Sequence, residues 1–182
     1  GFAAQYGDKM SSVLDITYKK PTNFGGSATM SLLEAKLHLE GANKSKKLTY
    51  LLGLRKKSTR YILNSLDTQG EYNPDFADIQ TYLNYTINKK WSVSYLGNYS
   101  KNTYYHIPQN RVTRFGTISV PLEVRIFFEG QEIDEYKTFF NAIKSNYQPN
   151  ENTNINFTAS AFSTYESETF DILGQYWLYE ID

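Results

Sequence analysis

Apolar and polar residues alternate along most of this chain with period two, the signature of strands with one dry and one wet face. Ala28, Met30 and Leu32 lie opposite Ser27, Thr29 and Ser31. A tight turn is expected near Leu33-Glu34. Ala35, Leu37 and Leu39 then alternate with Lys36, His38 and Glu40, and the polar run Asn43–Lys47 makes the next turn. Leu48, Tyr50, Leu52 and Leu54 share a face opposite Thr49, Gly53 and Arg55. A loop rich in turn formers follows, with Asn64, Asp67, Gly70, Asn73, Pro74 and Asp75.

The next hairpin has the cleanest pattern. Ala77, Ile79, Leu83, Tyr85 and Ile87 alternate with Asp78, Gln80, Tyr82, Asn84 and Thr86. Asn88-Lys89-Lys90 turns the chain, and Trp91, Val93, Tyr95 and Tyr99 alternate with Ser92, Ser94, Asn98 and Ser100. From Asn102 to Tyr136 the pattern gives way to a long excursion holding Pro108, Pro121 and an amphipathic run from Thr117 to Phe128. Pro121 argues against a central strand there, because proline has no ladder donor. A last hairpin is expected from Thr138 through the turn Gln148–Asn152 to Ile155, Phe157, Ala159 and Ala161, with a further loop from Glu166 onward. Its upstream strand is less regular, with Phe139 and Phe140 adjacent and Asn141 on the apolar parity. The expectation is an all-β antiparallel meander of about seven long strands. Two architectures share this pattern. In a soluble sandwich or small barrel the faces carrying Leu48, Tyr50, Leu52, Leu54 and Ile79, Leu83, Tyr85 pack together in one dry core. In a transmembrane barrel they form an outward band, with Lys36, His38 and Glu40 inside.

Composition narrows the chemistry. The 182 residues carry a formal net charge of zero and contain no cysteine. There is no global field for nucleic acid, and no disulfide or thiolate metal site. Sixteen Tyr and eleven Phe suit half-wet strands with aromatic packing. No stretch nears the roughly 18 apolar residues of a membrane helix, whereas a barrel strand needs only about 9–11 alternating residues. Tyr85 and Trp91 flank a turn, where an aromatic girdle would sit.

The N-terminal run adds a family resemblance. Gly1 to Pro21 contains a glycine turn at Tyr6-Gly7-Asp8 and an expected short strand from Val13 to Tyr18, closed by Lys19-Lys20-Pro21. Tyr6, Gly7, Ser11, Ser12, Val13, Leu14, Asp15, Ile16, Lys19, Lys20 and Pro21 resemble the end of the plug domain in TonB-dependent outer-membrane receptors. There a YG turn leads into a V-x-(N/D)-I-x-x-K-(K/R)-P strand before the barrel begins. Ser11-Ser12 stands where many members carry Gly-Gly.

The resemblance implies that residues 1–21 end the plug domain and residues 22–182 open the barrel, about seven of 22 strands. It implies energy-coupled uptake of a bulky nutrient, such as a glycan, an iron chelate or cobalamin, across a bacterial outer membrane. The implied partners are outer-membrane lipid, the remaining barrel and plug, a small-molecule or glycan ligand, and TonB through a segment this chain does not carry. With the plug strand ending in the periplasm, the turns Asn43–Lys47, Asn88–Lys90 and Gln148–Asn152 fall on the periplasmic side and the long loops outside. That count requires the turn near Leu33-Glu34. The chain lacks an initiator Met and a signal peptide, and ends on the apolar run Phe170–Tyr179. It is therefore expected to be a piece of a longer protein, whose open sheet edges must be satisfied elsewhere, self-association being one route.

No enzyme chemistry is expected. His38 and His106 form no metal-ligand spacing, and nucleophile and phosphate-loop motifs are absent. His38 reads as a plain polar-face residue, and His106 as a possible part of a ligand surface. Glu129, Glu132, Asp134 and Glu135 offer oxygen ligands for calcium but read first as a solvated acidic loop. Lys56, Lys57 and Arg60 read as a solvated strand end, with phosphate groups as the alternative contact. No metal or cofactor is expected. Tyr104, Tyr105 and Trp177 are expected as loop aromatics that stack on a ligand, such as a sugar face. The alternative function is a soluble β protein binding carbohydrate or a protein partner through its tyrosines.

Overall fold

The structure, a computed structural model, describes residues 7, 12–63, 65 and 70–181. The turn residues Tyr6 and Asp8, Ser11, and the loop residues Asn64 and Asp67 lie outside the described residues. Strands β1 (Gly25–Met30), β2 (Glu34–Ala42), β3 (Leu48–Ser58), β4 (Gly70–Asn88) and β5 (Trp91–Pro108) run in order. A short helix, α1 (Arg60–Leu63), sits between β3 and β4. Strands β6 (Arg111–Gly116), β7 (Pro121–Glu129), β8 (Glu132–Asn150), β9 (Thr153–Phe170) and β10 (Leu173–Glu180) follow. Seven strands form one antiparallel sheet in the order β1-β2-β3-β4-β5-β8-β9, and three form a second in the order β10-β7-β6. No described helix is long and apolar enough to cross a membrane.

The turns fall where alternation and turn chemistry put them. Ser31 N donates to the Glu34 carbonyl at 2.8 Å, and Ser31 Oγ accepts from the Leu33 and Glu34 amides, closing the tight turn between β1 and β2. At the other end of the sheet, three short turns each use an asparagine side chain as a local acceptor. Asn43 Oδ1 takes the Leu48 amide at 3.2 Å, Asn88 Oδ1 the Lys90 amide at 2.9 Å, and Asn150 Oδ1 the Asn152 amide at 3.1 Å. An Asx acceptor of this kind substitutes for a backbone turn bond. Three short turns therefore share one end, and the tight β1–β2 turn lies at the other with the longer connections.

Register then sorts the side chains. Leu48 faces Tyr85, Tyr50 faces Leu83 and Leu54 faces Ile79, so the two apolar sets lie side by side on one face and not across a core. The same face continues through Val93, Tyr95 and Tyr99 to Ile143 and Phe139, then to Ala159 and Ala161. Among the described residues no Ala, Val, Ile, Leu, Met or aromatic side chain is buried. Those that are buried and polar or charged are Thr49, Asp78, Asn84, Thr103 and Glu123. On β5 the apolar stretch runs from Trp91 to Tyr99, a rise of ~27 Å. At the turn end Trp91 meets Tyr147 edge-on at 6.5 Å and donates to Ser145 Oγ at 2.8 Å. At the far end Tyr99 packs on Phe139 at 4.7 Å. Beyond it the same face turns ionic, with Lys101 on Glu135 at 2.5 Å, Lys137 on Glu135 and Lys56 on Asp75.

Several connections expected as loops are strand. Asn73, Pro74 and Asp75 belong to β4. Pro74 is tolerated because β3 ends at Ser58 opposite Asp75, leaving β4 paired at that point only with β5. β5 runs on to Pro108, β8 starts at Glu132, and β9 extends through Glu166 to Phe170. Pro121 opens β7, the central strand of the three-stranded sheet, occupying the first position where the missing donor costs nothing. The expected strand from Val13 to Tyr18 is not a strand of either sheet. It lies over a sheet face whose backbone groups are already bonded strand to strand, so it finds no ladder edge there.

The second sheet prolongs the first. The β8–β9 ladder ends at Glu132 and Phe170, and the β7–β10 ladder resumes at Glu129 and Leu173. The break is bridged by Gln131 N donating to Asp171 Oδ1 at 2.8 Å and by Asp171 N donating to the Gln131 carbonyl at 3.1 Å. Gly130 allows it, with φ of 91°. Above the break, Glu123 ties all three strands together. Its carboxylate accepts from Tyr179 on β10, from Arg114 Nε on β6 at 2.6 Å and from Arg125 Nε on β7 at 2.6 Å.

A β-carbon at position 130 would fall on the Asp171 carbonyl oxygen, in a backbone conformation L-residues avoid. Gly130→Ala is expected to lower stability by about 1–3 kcal/mol, read by thermal unfolding. The bonds from Tyr179, Arg114 and Arg125 hold the Glu123 carboxyl down at about 2, below its ordinary 4.5. Its stabilisation is therefore complete above the unfolded value and lost as pH falls from 4.5 through about 2. Trp177 fluorescence in a Trp91→Phe background should report that acid opening, and Glu123→Gln should flatten the response across this window.

Candidate polar-face site

The opposite face of the large sheet is polar, and its end nearest the longer connections gathers the groups with binding chemistry. Arg55 on β3 donates through Nε to Asp78 Oδ1 at 2.6 Å, and its guanidinium lies 4.7 Å from the centre of the Phe76 ring. Asp78 is 6% exposed and also accepts from Gln80 at 3.1 Å. The pair fixes a planar cation against an aromatic face, a geometry that holds both rigid. Beside it runs an open groove of about 570 Å³, lined by Arg55, Lys57, Phe76, Asn102, Tyr104 and Tyr136. Rings, a fixed guanidinium and amide groups together suit a ligand that has both flat apolar faces and polar edges.

Toward the rim the chemistry changes from basic to acidic. Tyr72 packs 4.7 Å from the His106 ring and 6.0 Å from Tyr104. Glu132, Asp134 and Glu168 bring one carboxylate oxygen each within 4.8 Å of the others. Asp134 Oδ1 and His106 Nδ1 are enclosed without a hydrogen-bond partner. Hard cations take oxygen sets of this kind, and these three residues are the group best placed to hold one.

The sequence-based expectations divide here. Tyr104 lines the groove. Tyr105, the next residue, points through the sheet to the other face, beside Thr103, Lys101 and Ile107. Trp177 stands on β10 against Phe127 at 5.5 Å. All three are on strands and not on loops, and they do not converge. The acidic group also splits by strand parity. Glu135 pairs with Lys101 and Lys137 on the apolar face, and Glu129 lies on β7. Glu132 and Asp134 are joined by Glu168 from β9, which the sequence did not single out. Lys56, Lys57 and Arg60 separate too. Lys56 is held by Asp75, Lys57 lines the groove, and Arg60 opens α1. His38 bonds Glu40 at 2.8 Å. Had residues 132–136 been read as a strand, two-residue spacing would have marked Glu132 and Asp134 as a pair and excluded Glu135.

Removing Arg55 leaves Asp78 enclosed with only Gln80 as a side-chain partner. Arg55→Ala is expected to cost about 1–3 kcal/mol, and Asp78→Asn less, because the amide needs no counter-charge. Chemical unfolding followed by far-ultraviolet circular dichroism measures both. The chain matches no protein-family model, no curated protein and no solved structure.

Proposed function

We propose that this chain is wall and plug-end of an outer-membrane receptor of the TonB-dependent type, taking up a bulky nutrient without bond chemistry of its own. In this reading residues 1–21 end the plug, residues 22–182 open the barrel, and the polar-face groove lies on the ligand's path. The observation that carries it is the division of one sheet between two environments. One face presents an apolar band, ended by aromatics and then by ion pairs, with nothing described packed over it. The other is polar, and the extended segment before Pro21 lies against it, with Tyr18 stacked on Tyr82 at 4.6 Å. Lipid suits the first face, since each large side chain placed there gains ~1.5–3 kcal/mol over exposure to water. The nine residues from Trp91 to Tyr99 match the roughly 9–11 that a tilted strand needs to cross. In water the same band would be a large exposed apolar patch.

A soluble carbohydrate- or protein-binding β protein remains the alternative, but it requires a dry core, and no Ala, Val, Ile, Leu, Met or aromatic side chain is buried among the described residues. Light scattering after size exclusion, with and without detergent, separates the two. The membrane reading expects a defined species only in detergent and aggregation without it. A monodisperse detergent-free species would overturn it.

A further inference from the structure

The polar face carries opposite charges at the two sides of its groove. One cross-strand row runs Lys57, Phe76, Asn102, Tyr136 and Glu166, from β3 to β9. The next row outward runs Pro74, Tyr104, Asp134 and Glu168. On the β3 side, Asp78 bonds the Nε of Arg55, whose side chain stays 41% exposed. Lys57 is exposed and meets no carboxylate among the described residues. On the β8–β9 side, Glu132, Asp134 and Glu168 meet no cation among the described residues. There Asp134 Oδ1 is enclosed without a hydrogen-bond partner. Phe76, Tyr104 and Tyr136 stand between the two sides, beside the Asn102 amide. Three strand spacings separate β3 from β8, about 14 Å.

We propose that this groove binds a short peptide with free termini, its carboxylate on Arg55 and Lys57 and its ammonium group on Asp134 and Glu168. A purely anionic ligand would be repelled on the acidic side and a purely cationic one on the basic side, whereas a ligand with both charges satisfies each. Length selects the ligand further. An extended chain advances about 3.3 Å per residue, so about three or four residues span the ~14 Å less a hydrogen bond's length at each end. The three rings offer flat faces to apolar side chains in the middle, and the Asn102 amide can both donate to and accept from a peptide backbone. A guanidinium and a lysine ammonium hold one carboxylate through charge-assisted bonds, and two carboxylates do the same for an ammonium. The proposal rests on the groove lying on the ligand's path and names what binds there.

Isothermal titration calorimetry tests it on the full chain, in whichever medium keeps it monodisperse. The probes are the tripeptide alanyl-phenylalanyl-alanine, its N-acetylated form and its C-amidated form. The free tripeptide is expected to bind, and each blocked form about tenfold more weakly, because each has lost one charge-assisted contact. Lys57→Gln should weaken the free tripeptide by about the same factor and leave the amidated form no weaker. Asp134→Asn with Glu168→Gln should weaken the free tripeptide and leave the acetylated form no weaker. Blocked forms that bind the unaltered chain as tightly as the free tripeptide would overturn the proposal, and so would no binding of any probe. Variants that weaken all three peptides equally, with circular dichroism unchanged, would also overturn it. The detergent requirement is measured separately. Binding by a detergent-free chain leaves the peptide site standing and sinks the membrane reading; a detergent-dependent chain that binds no probe does the reverse.

Discussion

Register is the constraint on which the rest of the structure depends. Side chains alternate across a strand, so slipping any strand by one residue would exchange its faces. Arg55 would leave Asp78, and Tyr82 would turn away from Tyr18. The Asx turns at Asn43, Asn88 and Asn150 set the pairing at one end, and the Ser31 turn sets it at the other. Between them, adjacent cross-strand rows near Arg55 differ in chemistry. Leu54, Ile79, Tyr99 and Phe139 make an apolar row; its neighbour on the other face runs Arg55, Asp78, Ser100 and Thr138. Among the described residues no second sheet packs over either face to keep these chemistries apart.

Charge follows the same rule. Asp78 is enclosed and meets a guanidinium; Asp75 and Glu135 on the apolar face meet lysines. Glu123, at 1% exposure, meets two arginines and a tyrosine. Against that background the carboxylates of Glu132, Asp134 and Glu168 stand out for facing one another. Like charges are thus brought together at this end of the polar face. The small sheet, by contrast, is a structural extension. Its one buried carboxylate among the described residues is engaged in holding three strands.

Much of this was legible in the sequence. Period-two alternation located strands of the large sheet but not β6, β7 or β10, and the turn formers near Leu33, Asn43, Asn88 and Pro149 located the turns. Strand ends were less visible. Past residue 100 the apolar face becomes ionic, and alternation of charge with aromatics does not read as a strand by hydropathy. That hid the outer halves of β5 and β8, and with them the parity that places Tyr104 and Tyr105 on opposite faces. Pro74 and Pro121 misled for a related reason. Proline forbids pairing only on the side where its donor is missing, and which side that is depends on neighbours the sequence does not order. The segment from Val13 to Tyr18 has a strand's composition but joins neither sheet, which no local pattern can reveal.

The odd number of strands in the large sheet has a geometric corollary. In a seven-stranded antiparallel meander the first and last strands point the same way, so the edges at β1 and β9 have equal polarity. Copies of the sheet standing the same way up can meet along these edges only as parallel neighbours, whichever edges are chosen. Rolling the sheet onto itself meets the same obstacle. An all-antiparallel ring that includes this sheet must draw an odd number of further strands from elsewhere, the first and last of them running opposite to β1 and β9. The six reversals of direction between seven strands thus fix how either edge of the sheet can be extended.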